Sequence, residues 1–453
     1  MIQSINPATE QIRQTYSALT SAQIECKLVA AKTAWPAWRR TTFSHRQTLL
    51  QALAQELRNQ RQTLAALITA EMGCPLAQTQ AEIEKCAVIA ELAGQEAGKY
   101  LVDKPVKTQA KTSYIRFEPV GTVLHIAPWN YPFYLALRPV VSALAAGNCV
   151  VLKPASNTPE CALALEAIFE AAKFPRGVFS ALLVSSSQVP LILEHESVQM
   201  VTLIGSEKAG SAVGQLAGKN LKKSLLELGG SDPMLVLAGA DLGRCVEGAL
   251  YSRLRNAGQS CNAAKRFLVP HAKVDEFCQR LSEKISQTKV GDPSLTETAL
   301  GPLATAKSRL EVTRQVEESV KMGAVIANEA LTLPAQGYYF SPVVLREVRR
   351  EMPVMREEVF GPVFPVFGYD SLEEAVQIAN DSPYGLGASV WGDVETVKSL
   401  IPEIEAGNVY VNKVVRGDPK LPFGGVKKTG YGREFGEYGL LEFVNLKSVV
   451  IES

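Results

Sequence analysis

Histidine is scarce in this 453-residue chain, and closely spaced cysteine pairs are missing from it. The four histidines are scattered, the eight cysteines form no C-x-x-C pair, and H-E-x-x-H does not occur. Because zinc sites draw their ligands from such spacings, we predict neither a metal site nor a disulfide framework. Most of the cysteines are expected to be small buried apolar residues.

Long apolar runs and a large net charge are also missing. The most apolar stretch, residues 140–152, is too short to span a bilayer and is flanked by Arg138 and Lys153. The formal net charge is +1, which indicates no nucleic-acid or acidic partner. The first ten residues have no apolar signal-peptide core. We therefore expect a cytoplasmic protein without a membrane partner.

The order of predicted elements indicates an α/β fold. The length exceeds what one compact core holds and predicts at least two domains. The first hundred residues are predicted to be mostly helical, with a break near 71–75. Beyond residue 113, predicted strands alternate with helices, which is typical of a parallel sheet covered on both faces. Strands are predicted at 114–117, 121–126, 149–152, 180–184, 198–204 and 224–228, and helices at 132–146, 158–172 and 206–216.

A second α/β series follows residue 232. It contains helices predicted at 241–251, 274–285 and 372–380. The chain ends in a short apolar strand, 448–452, which has little core of its own. We expect this strand to pair with another element or another subunit.

Cys261 is the cysteine whose neighbours suggest chemistry. It ends the sequence N-A-G-Q-S-C, in which Gly258 lets the backbone come close to a ligand. A thiol becomes a good nucleophile once it is ionised. The alternative interpretation is an inert buried cysteine in a loop.

Two further polar residues, Glu227 and Asn130, stand at positions where a polar side chain needs a structural or catalytic reason. Glu227 lies in the apolar segment L-E-L-G-G, so its carboxylate is either paired, useful as a base with a raised pKa, or capping a strand end. Asn130 lies in P-W-N-Y-P between a strand and a helix. Its amide could donate to a developing oxyanion or cap the helix.

Two segments at predicted strand ends suit a nucleotide. Residues 205–210 open a helix after a strand, where free N–H groups bind phosphate. Their G-x-x-x-x-G spacing is not the dinucleotide fingerprint and is weak evidence alone. Lys153 stands in K-P-A-S at another strand end, where it could meet ribose or phosphate.

Taken together, these segments resemble the aldehyde dehydrogenase superfamily in order and spacing over essentially the full chain. The matching motifs are N-P-A-T (6–9), P-W-N-Y-P, K-P-A-S, G-S-x-x-x-G, E-L-G-G, G-Q-S-C, E-E-V-F-G-P (357–362) and P-F-G-G (422–425). The resemblance implies a Rossmann-type cofactor domain, an α/β catalytic domain and a small β bridging element.

The resemblance also assigns catalytic roles. It implies that Cys261 is the nucleophile, Glu227 the general base that activates water, and Asn130 an oxyanion donor together with the Cys261 N–H. The thiolate would add to an aldehyde, hydride would pass to a nicotinamide, and water would hydrolyse the thioester.

The same resemblance supplies the cofactor contacts, with NADP expected and NAD also possible. It implies contacts from Trp129, Lys153, Ser156, Ser206, Glu358 and Phe360. Many NAD-specific members carry a glutamate where this chain has Ser156. A carboxylate there would repel a 2′-phosphate, so Ser156 favours use of NADP.

The family architecture implies domain bounds and an oligomer. We expect a cofactor domain at 1–100 and 119–229, a catalytic domain at 230–432, and a bridging element at 101–118 and 433–453. That element predicts a homodimer or homotetramer.

The substrate is predicted from two arginines. Arg138 and Arg255 match residues that bind the carboxylate in succinate-semialdehyde dehydrogenases, whereas Gly417 replaces the serine of that pattern, next to Arg416. Succinate semialdehyde is therefore expected, and glutarate semialdehyde or a broader aldehyde range remains an alternative. A CoA-acylating enzyme is disfavoured by Glu227, and a non-catalytic structural homologue by the intact Cys261, Glu227 and Asn130.

Overall fold

The computed structural model describes residues 1–452. The helices are α1 (Ser21–Trp38), α2 (Phe43–Asn59), α3 (Arg61–Met72), α4 (Leu76–Tyr100), α5 (Tyr134–Ala146), α6 (Pro159–Ala171), α7 (Val189–Glu194), α8 (Glu207–Lys219), α9 (Leu242–Leu254), α10 (Val274–Ile285), α11 (Ala306–Lys321), α12 (Pro353–Arg356), α13 (Leu372–Asn380), α14 (Val394–Leu400) and α15 (Gly436–Leu441). The strands are β1 (Ile2–Ile5), β2 (Ile12–Tyr16), β3 (Lys104–Pro105), β4 (Thr112–Pro119), β5 (Thr122–Ile126), β6 (Cys149–Lys153), β7 (Phe179–Ala181), β8 (Val198–Ile204), β9 (Lys223–Glu227), β10 (Asp232–Val236), β11 (Ala264–Pro270), β12 (Val325–Ile326), β13 (Val343–Arg346), β14 (Val363–Tyr369), β15 (Tyr384–Gly385), β16 (Gly387–Trp391), β17 (Asn408–Val411), β18 (Val426–Lys427), β19 (Gly430–Tyr431) and β20 (Val444–Ile451).

The first sheet has the strand order β19-β9-β8-β5-β6-β7. Strands β9 through β7 in that order are parallel, and β19 runs antiparallel to β9. From β5 the chain continues to β6 and β7 on one side, and then crosses to β8 and β9 on the other side of β5. The strand order therefore reverses beside β5. Open parallel sheets bind ligands at the carboxyl ends of their strands at such a reversal. The predicted alternation of strands and helices is confirmed.

The second sheet has the order β12-β13-β14-β11-β10-β16-β17 and is parallel except at β12. A short link joins the two sheets, because β9 ends at Glu227 and β10 begins at Asp232. The carboxyl edge of the first sheet is therefore joined directly to the amino edge of the second. This link is where the two α/β layers of the molecule meet.

The terminal strand β20 pairs along its whole length with β4, and β3 completes this third sheet. The prediction that the last strand pairs with another element is confirmed. Leu446 and Val450 on β20 are each 59% exposed. The predicted domain bounds stay a prediction, and one detail departs from them: β19 lies within the range predicted as catalytic but joins the first sheet.

The first hundred residues are mostly helical, as predicted, but the segment ahead of α1 is not. β1 and β2 form an antiparallel hairpin ahead of α1. The turn is closed by the Asn6 carbonyl, which accepts from Glu10 N at 2.7 Å, and by its side chain, which accepts from Ala8 N at 2.9 Å. This local asparagine turn favours a hairpin over a helix.

Burial follows the expected pattern. The largest apolar core joins helices α1 to α6 with the first sheet. Six cysteines are buried, as predicted: Cys74, Cys86, Cys149, Cys161, Cys245 and Cys278. Within residues 1–452, every helix is too short or too polar to cross a membrane.

Candidate active site

The loop that carries Cys261 is bent back on itself. Asn256, Ala257 and Gly258 have left-handed φ values of 50°, 51° and 74°. A β-carbon on Gly258 would lie 2.3 Å from the carbonyl oxygen of Gly361, so the close approach requires glycine as well as the positive φ. Positive φ at Asn256 and Ala257 is strained and persists only where surrounding contacts hold it.

Side-chain amides supply those contacts. Asn256 Nδ2 donates to the carbonyls of Asn130 and Gln259, at 2.7 and 3.2 Å. Gln259 Nε2 donates to Asn256 O at 3.1 Å, and its Oε1 accepts from Ala304 N at 2.9 Å. The N-A-G-Q part of the motif therefore fixes the conformation of the loop, and the loop sets the position of the Cys261 thiol.

Asn130 is buried beside this loop, and its Nδ2 donates to Gln259 O at 3.1 Å. It does not cap α5, because that helix begins at Tyr134. The first amides of the helix, Phe133 N and Tyr134 N, instead donate to Glu82 Oε1 at 3.0 Å each. The amide thus lies next to the loop that carries Cys261, and its predicted oxyanion role stays a prediction.

Cys261 opens onto a cavity of about 850 Å³. Burial raises the pKa of its thiol to about 11, and the positive charges of Lys265 and Arg138 act in the opposite direction. A thiol in this state is mostly protonated at neutral pH. The predicted role of Cys261 as nucleophile therefore requires the surrounding positive charge and transfer of the thiol proton.

Glu227 is buried at the carboxyl end of β9, and burial raises its pKa well above the usual value. Its Oε1 atom has no hydrogen-bond partner within the described part of the chain. This oxygen is therefore held neither by an ion pair nor by a strand cap. The carboxylate of Glu434 adds to the rise in its pKa, while Arg138 and Arg433 oppose it. A buried carboxyl group with a raised pKa is a candidate for proton transfer.

The predicted cofactor residues of the first half of the chain share one edge of the first sheet. Trp129 follows β5, Lys153 ends β6 with Ser156 just beyond it, and Ser206 follows β8. Ser206 Oγ caps α8 by accepting from Ala209 N at 3.3 Å. Burial lowers the pKa of Lys153, whose Nζ donates to Pro154 O at 2.7 Å. Exposed hydroxyls beside a helix amino terminus fit a phosphate-bearing nucleotide.

Two further predicted cofactor residues come from the second half of the chain. The rings of Phe360 and Trp129 pack edge to face with centroids 5.7 Å apart. Glu358 Oε1 accepts from Gly230 N at 3.0 Å. A β-carbon on Gly229 would lie 2.6 Å from Glu358 Oε2, which explains the first glycine after Leu228. Phe360 thus packs on Trp129 beyond the end of β5, and Glu358 lies at the link between the two sheets.

Arg138 and Arg255 both line the cavity that holds Cys261. Arg138 forms an ion pair with buried Glu434 and lies 4.7 and 4.8 Å from the ring centroids of Phe423 and Phe435. Arg255 lies 5.8 and 5.6 Å from the ring centroids of Tyr131 and Tyr251. The two arginines are therefore not equivalent, because Arg138 already has a carboxylate partner.

Sequence reasoning did not identify Lys85 or Glu434. Lys85 lines the cavity from α4, and its pKa is lowered to about 8 by burial and then by the charges of Arg255 and Arg416. Neither residue stands in a recognised motif. The sequence offered one signal for each residue: Lys85 stands among the apolar residues of a helix, and Glu434 stands beside Phe435.

Comparison with known proteins agrees with this geometry. The sequence profile of the aldehyde dehydrogenase family matches residues 1–449. The chain is 43% identical to "Probable succinate-semialdehyde dehydrogenase", described as using NADP(+), from Synechocystis sp., over 99% of each chain. It is 42% identical to an NADP(+) succinate-semialdehyde dehydrogenase of Mycobacterium tuberculosis, again over 99% of each. A succinic semialdehyde dehydrogenase from Streptococcus pyogenes, solved with NADP+ as the cofactor, superposes with a TM-score of 0.97 at 33% identity, covering 100% of both chains. The chain belongs to the aldehyde dehydrogenase family.

Proposed function

We propose that this enzyme oxidises succinate semialdehyde to succinate with NADP, through a thioester on Cys261. The observation that carries the proposal is one cavity that contains the nucleophile, Arg138, Arg255 and Lys85. Arg138 is already paired with Glu434, but within residues 1–452 Arg255 forms no ion pair and its buried Nε has no hydrogen-bond partner, so a bound anion would satisfy it. A short aldehyde with a carboxylate at its far end offers a carbonyl to Cys261 and an anion to the positive side chains of this cavity.

The cofactor assignment rests on the edge of the first sheet. Ser156 is exposed beyond β6, and it brings no negative charge to the site expected to meet the adenosine ribose. Lys153, three residues earlier, brings a positive charge to the same strand end. Ser206 at the start of α8 suits the pyrophosphate, and Glu358 the nicotinamide ribose. The named relatives, which use NADP(+), support the same assignment.

The residues of this chain divide the chemistry among them. Arg255 and the other cavity cations orient the substrate carboxylate, which places the aldehyde carbon against the Cys261 sulfur. The Asn130 amide and the Cys261 N–H stabilise the alkoxide that forms when sulfur adds to the carbonyl. When bound, the nicotinamide accepts the hydride that leaves this carbon, which turns the adduct into a thioester.

Hydrolysis then falls to Glu227. Its carboxylate takes a proton from water, the resulting hydroxide adds to the thioester, and the Cys261 thiolate leaves. The balance is one aldehyde, one NADP⁺ and one water converted to one acid, one NADPH and one proton. Glu227 therefore favours hydrolysis over transfer of the acyl group to CoA.

Glutarate semialdehyde is the second candidate, because Gly417 stands where a serine would complete the carboxylate site. A β-carbon at Gly417 would lie 3.4 Å from the Phe423 ring and 3.6 Å from that of Phe435, which is ordinary contact. The β-carbon of a serine therefore fits at this position. Gly417→Ser should keep activity and shift preference toward the shorter semialdehyde.

The test is a panel of aldehydes followed by absorbance of reduced cofactor at 340 nm. Succinate semialdehyde, glutarate semialdehyde and butanal are compared with NADP and NAD. The proposal expects succinate semialdehyde with NADP to give the highest kcat/KM. Equal rates for butanal and the two acids would reject the carboxylate site. If no aldehyde led to reduction of the cofactor, the proposed dehydrogenase activity would be rejected.

The predicted location and assembly stay predictions. The exposed apolar side chains of β20 support a homodimer or homotetramer that continues the third sheet across subunits. Sedimentation of the purified protein tests that assembly.

A further inference from the structure

Lys265 is a fully buried lysine at the start of β11, directly beneath the nucleophile loop. Its Nζ donates to Ser260 O at 2.9 Å and to Cys261 O at 2.6 Å. The same ammonium lies 3.5 Å from Glu358 Oε1. It therefore touches the carbonyls on both sides of the catalytic cysteine and a predicted cofactor contact.

Burying the Lys265 ammonium costs free energy, because the charge loses its hydration. Burial lowers the pKa of Lys265, while the carboxylates of Glu358 and Asp232 act to raise it, and Arg253 to lower it. An apolar side chain of similar volume would avoid the cost of burying charge. The charge is thus better explained by what it does to the loop than by stability.

We propose that Lys265 is a positioning residue that strengthens the oxyanion donor at Cys261 and stabilises its thiolate. The inference rests on the proposed function, in which Cys261 is the nucleophile. Ser260 O and Cys261 N belong to one peptide group. When the ammonium donates to that oxygen, it withdraws electron density from the group and makes the N–H a stronger donor to the alkoxide.

The charge of Lys265 acts on the sulfur as well. Lys265 and Arg138 favour the thiolate, whereas Glu358 and Glu227 oppose it, and Lys265 is the largest of the favourable charges. Because Lys265 also contacts Cys261 O, its loss would loosen the loop on both sides of the sulfur. Both effects predict slower addition of the thiol to the aldehyde without weaker binding of substrate.

The experiment compares Lys265→Met with Lys265→Gln, which keeps a donor without the charge. Cys26, the exposed cysteine, is first replaced by serine so that iodoacetamide reports on Cys261. We expect Lys265→Met to lower the burst rate of NADPH formation about 10-fold or more, with KM for succinate semialdehyde within twofold. The pH at which alkylation becomes half-maximal should rise in both variants, and the burst should fall less in Lys265→Gln.

A merely structural role would lower the melting temperature but leave both the burst rate and the alkylation profile unchanged, and that result would overturn the inference. If Lys265→Met does not fold, Lys265→Gln and Lys265→Arg decide the same question. Cys261→Ala separates the two proposals. Turnover in Cys261→Ala would reject the proposed function, whereas an inactive Cys261→Ala beside normal Lys265 variants rejects this inference alone.

Discussion

The guanidinium of Arg138 forms an ion pair with the carboxylate of Glu434 inside the protein, where the two side chains are 6% and 1% exposed. Removing one partner of a buried pair leaves an uncompensated charge. Arg138→Ala should therefore lower the free energy of unfolding by about 3–5 kcal/mol. The charge of Glu434 also raises the pKa of Glu227. Arg138→Ala should therefore lower turnover of butanal and of succinate semialdehyde together.

The double variant Arg138→Ala with Glu434→Gln provides the control. It removes both charges, so most of the lost stability should return in urea unfolding. If Arg138 binds substrate as well, the double variant should show a weaker preference for the acid over butanal than the wild type. A wild-type preference in the double variant would show that Arg138 only balances Glu434.

Glu227→Gln should separate the two halves of the reaction. Glutamine cannot take a proton from water, so the enzyme should release one equivalent of NADPH in a burst and then stall at the thioester. In the wild type, the raised pKa of Glu227 means that the active carboxylate forms as pH rises. Steady-state turnover should therefore rise with pH through that pKa. Undiminished steady turnover in Glu227→Gln would assign the base elsewhere.

Ser156→Glu should shift cofactor preference toward NAD. A carboxylate at the end of β6 would bind ribose hydroxyls and repel the 2′-phosphate of NADP, with Lys153 as the neighbouring positive charge. The ratio of kcat/KM for the two cofactors should change by about 10-fold or more, which corresponds to about 1.4 kcal/mol. Ser156→Gln, which adds bulk without charge, is the matched control. A wild-type enzyme that ignores NADP would contradict the account.

Glu82 gives a pH dependence of stability. Burial raises its pKa to about 7 from 4.5. Between these values the folded state keeps the proton and the unfolded state does not, so stability should fall as pH rises through this window. The loss should be at most about 3–4 kcal/mol, because the rise from 4.5 to about 7 is worth about 1.4 kcal/mol per pKa unit. Glu82→Gln keeps the acceptor for the first amides of α5 and should flatten this part of the profile in urea unfolding; an unchanged slope would contradict the prediction.

The family, the fold and the local order of elements were predictable from the sequence because motifs and hydrophobic spacing are local. Helices α10 and α13 begin and end at their predicted residues, 274–285 and 372–380. The predicted aldehyde dehydrogenase family is confirmed. The β1–β2 hairpin was missed because the side chains of β2 are almost all exposed and do not alternate in burial.

The electrostatics of the site were less predictable, because they depend on residues brought together from distant positions. Arg138 and Glu434 are nearly 300 positions apart, so their pairing leaves no local pattern. Lys85 reaches the cavity only because α4 packs against α5. Lys265 lies four residues after Cys261, but only the bent loop turns its ammonium toward the carbonyls of that loop.

The central claim is that the cavity selects an aldehyde with a carboxylate at its far end. The most direct measurement compares kcat/KM for succinate semialdehyde and for butanal in the wild type and in Arg255→Ala. The account predicts a strong wild-type preference for the acid, which falls roughly 30-fold or more in Arg255→Ala while butanal is spared. A wild type without that preference, or an equal loss for both substrates, would contradict it.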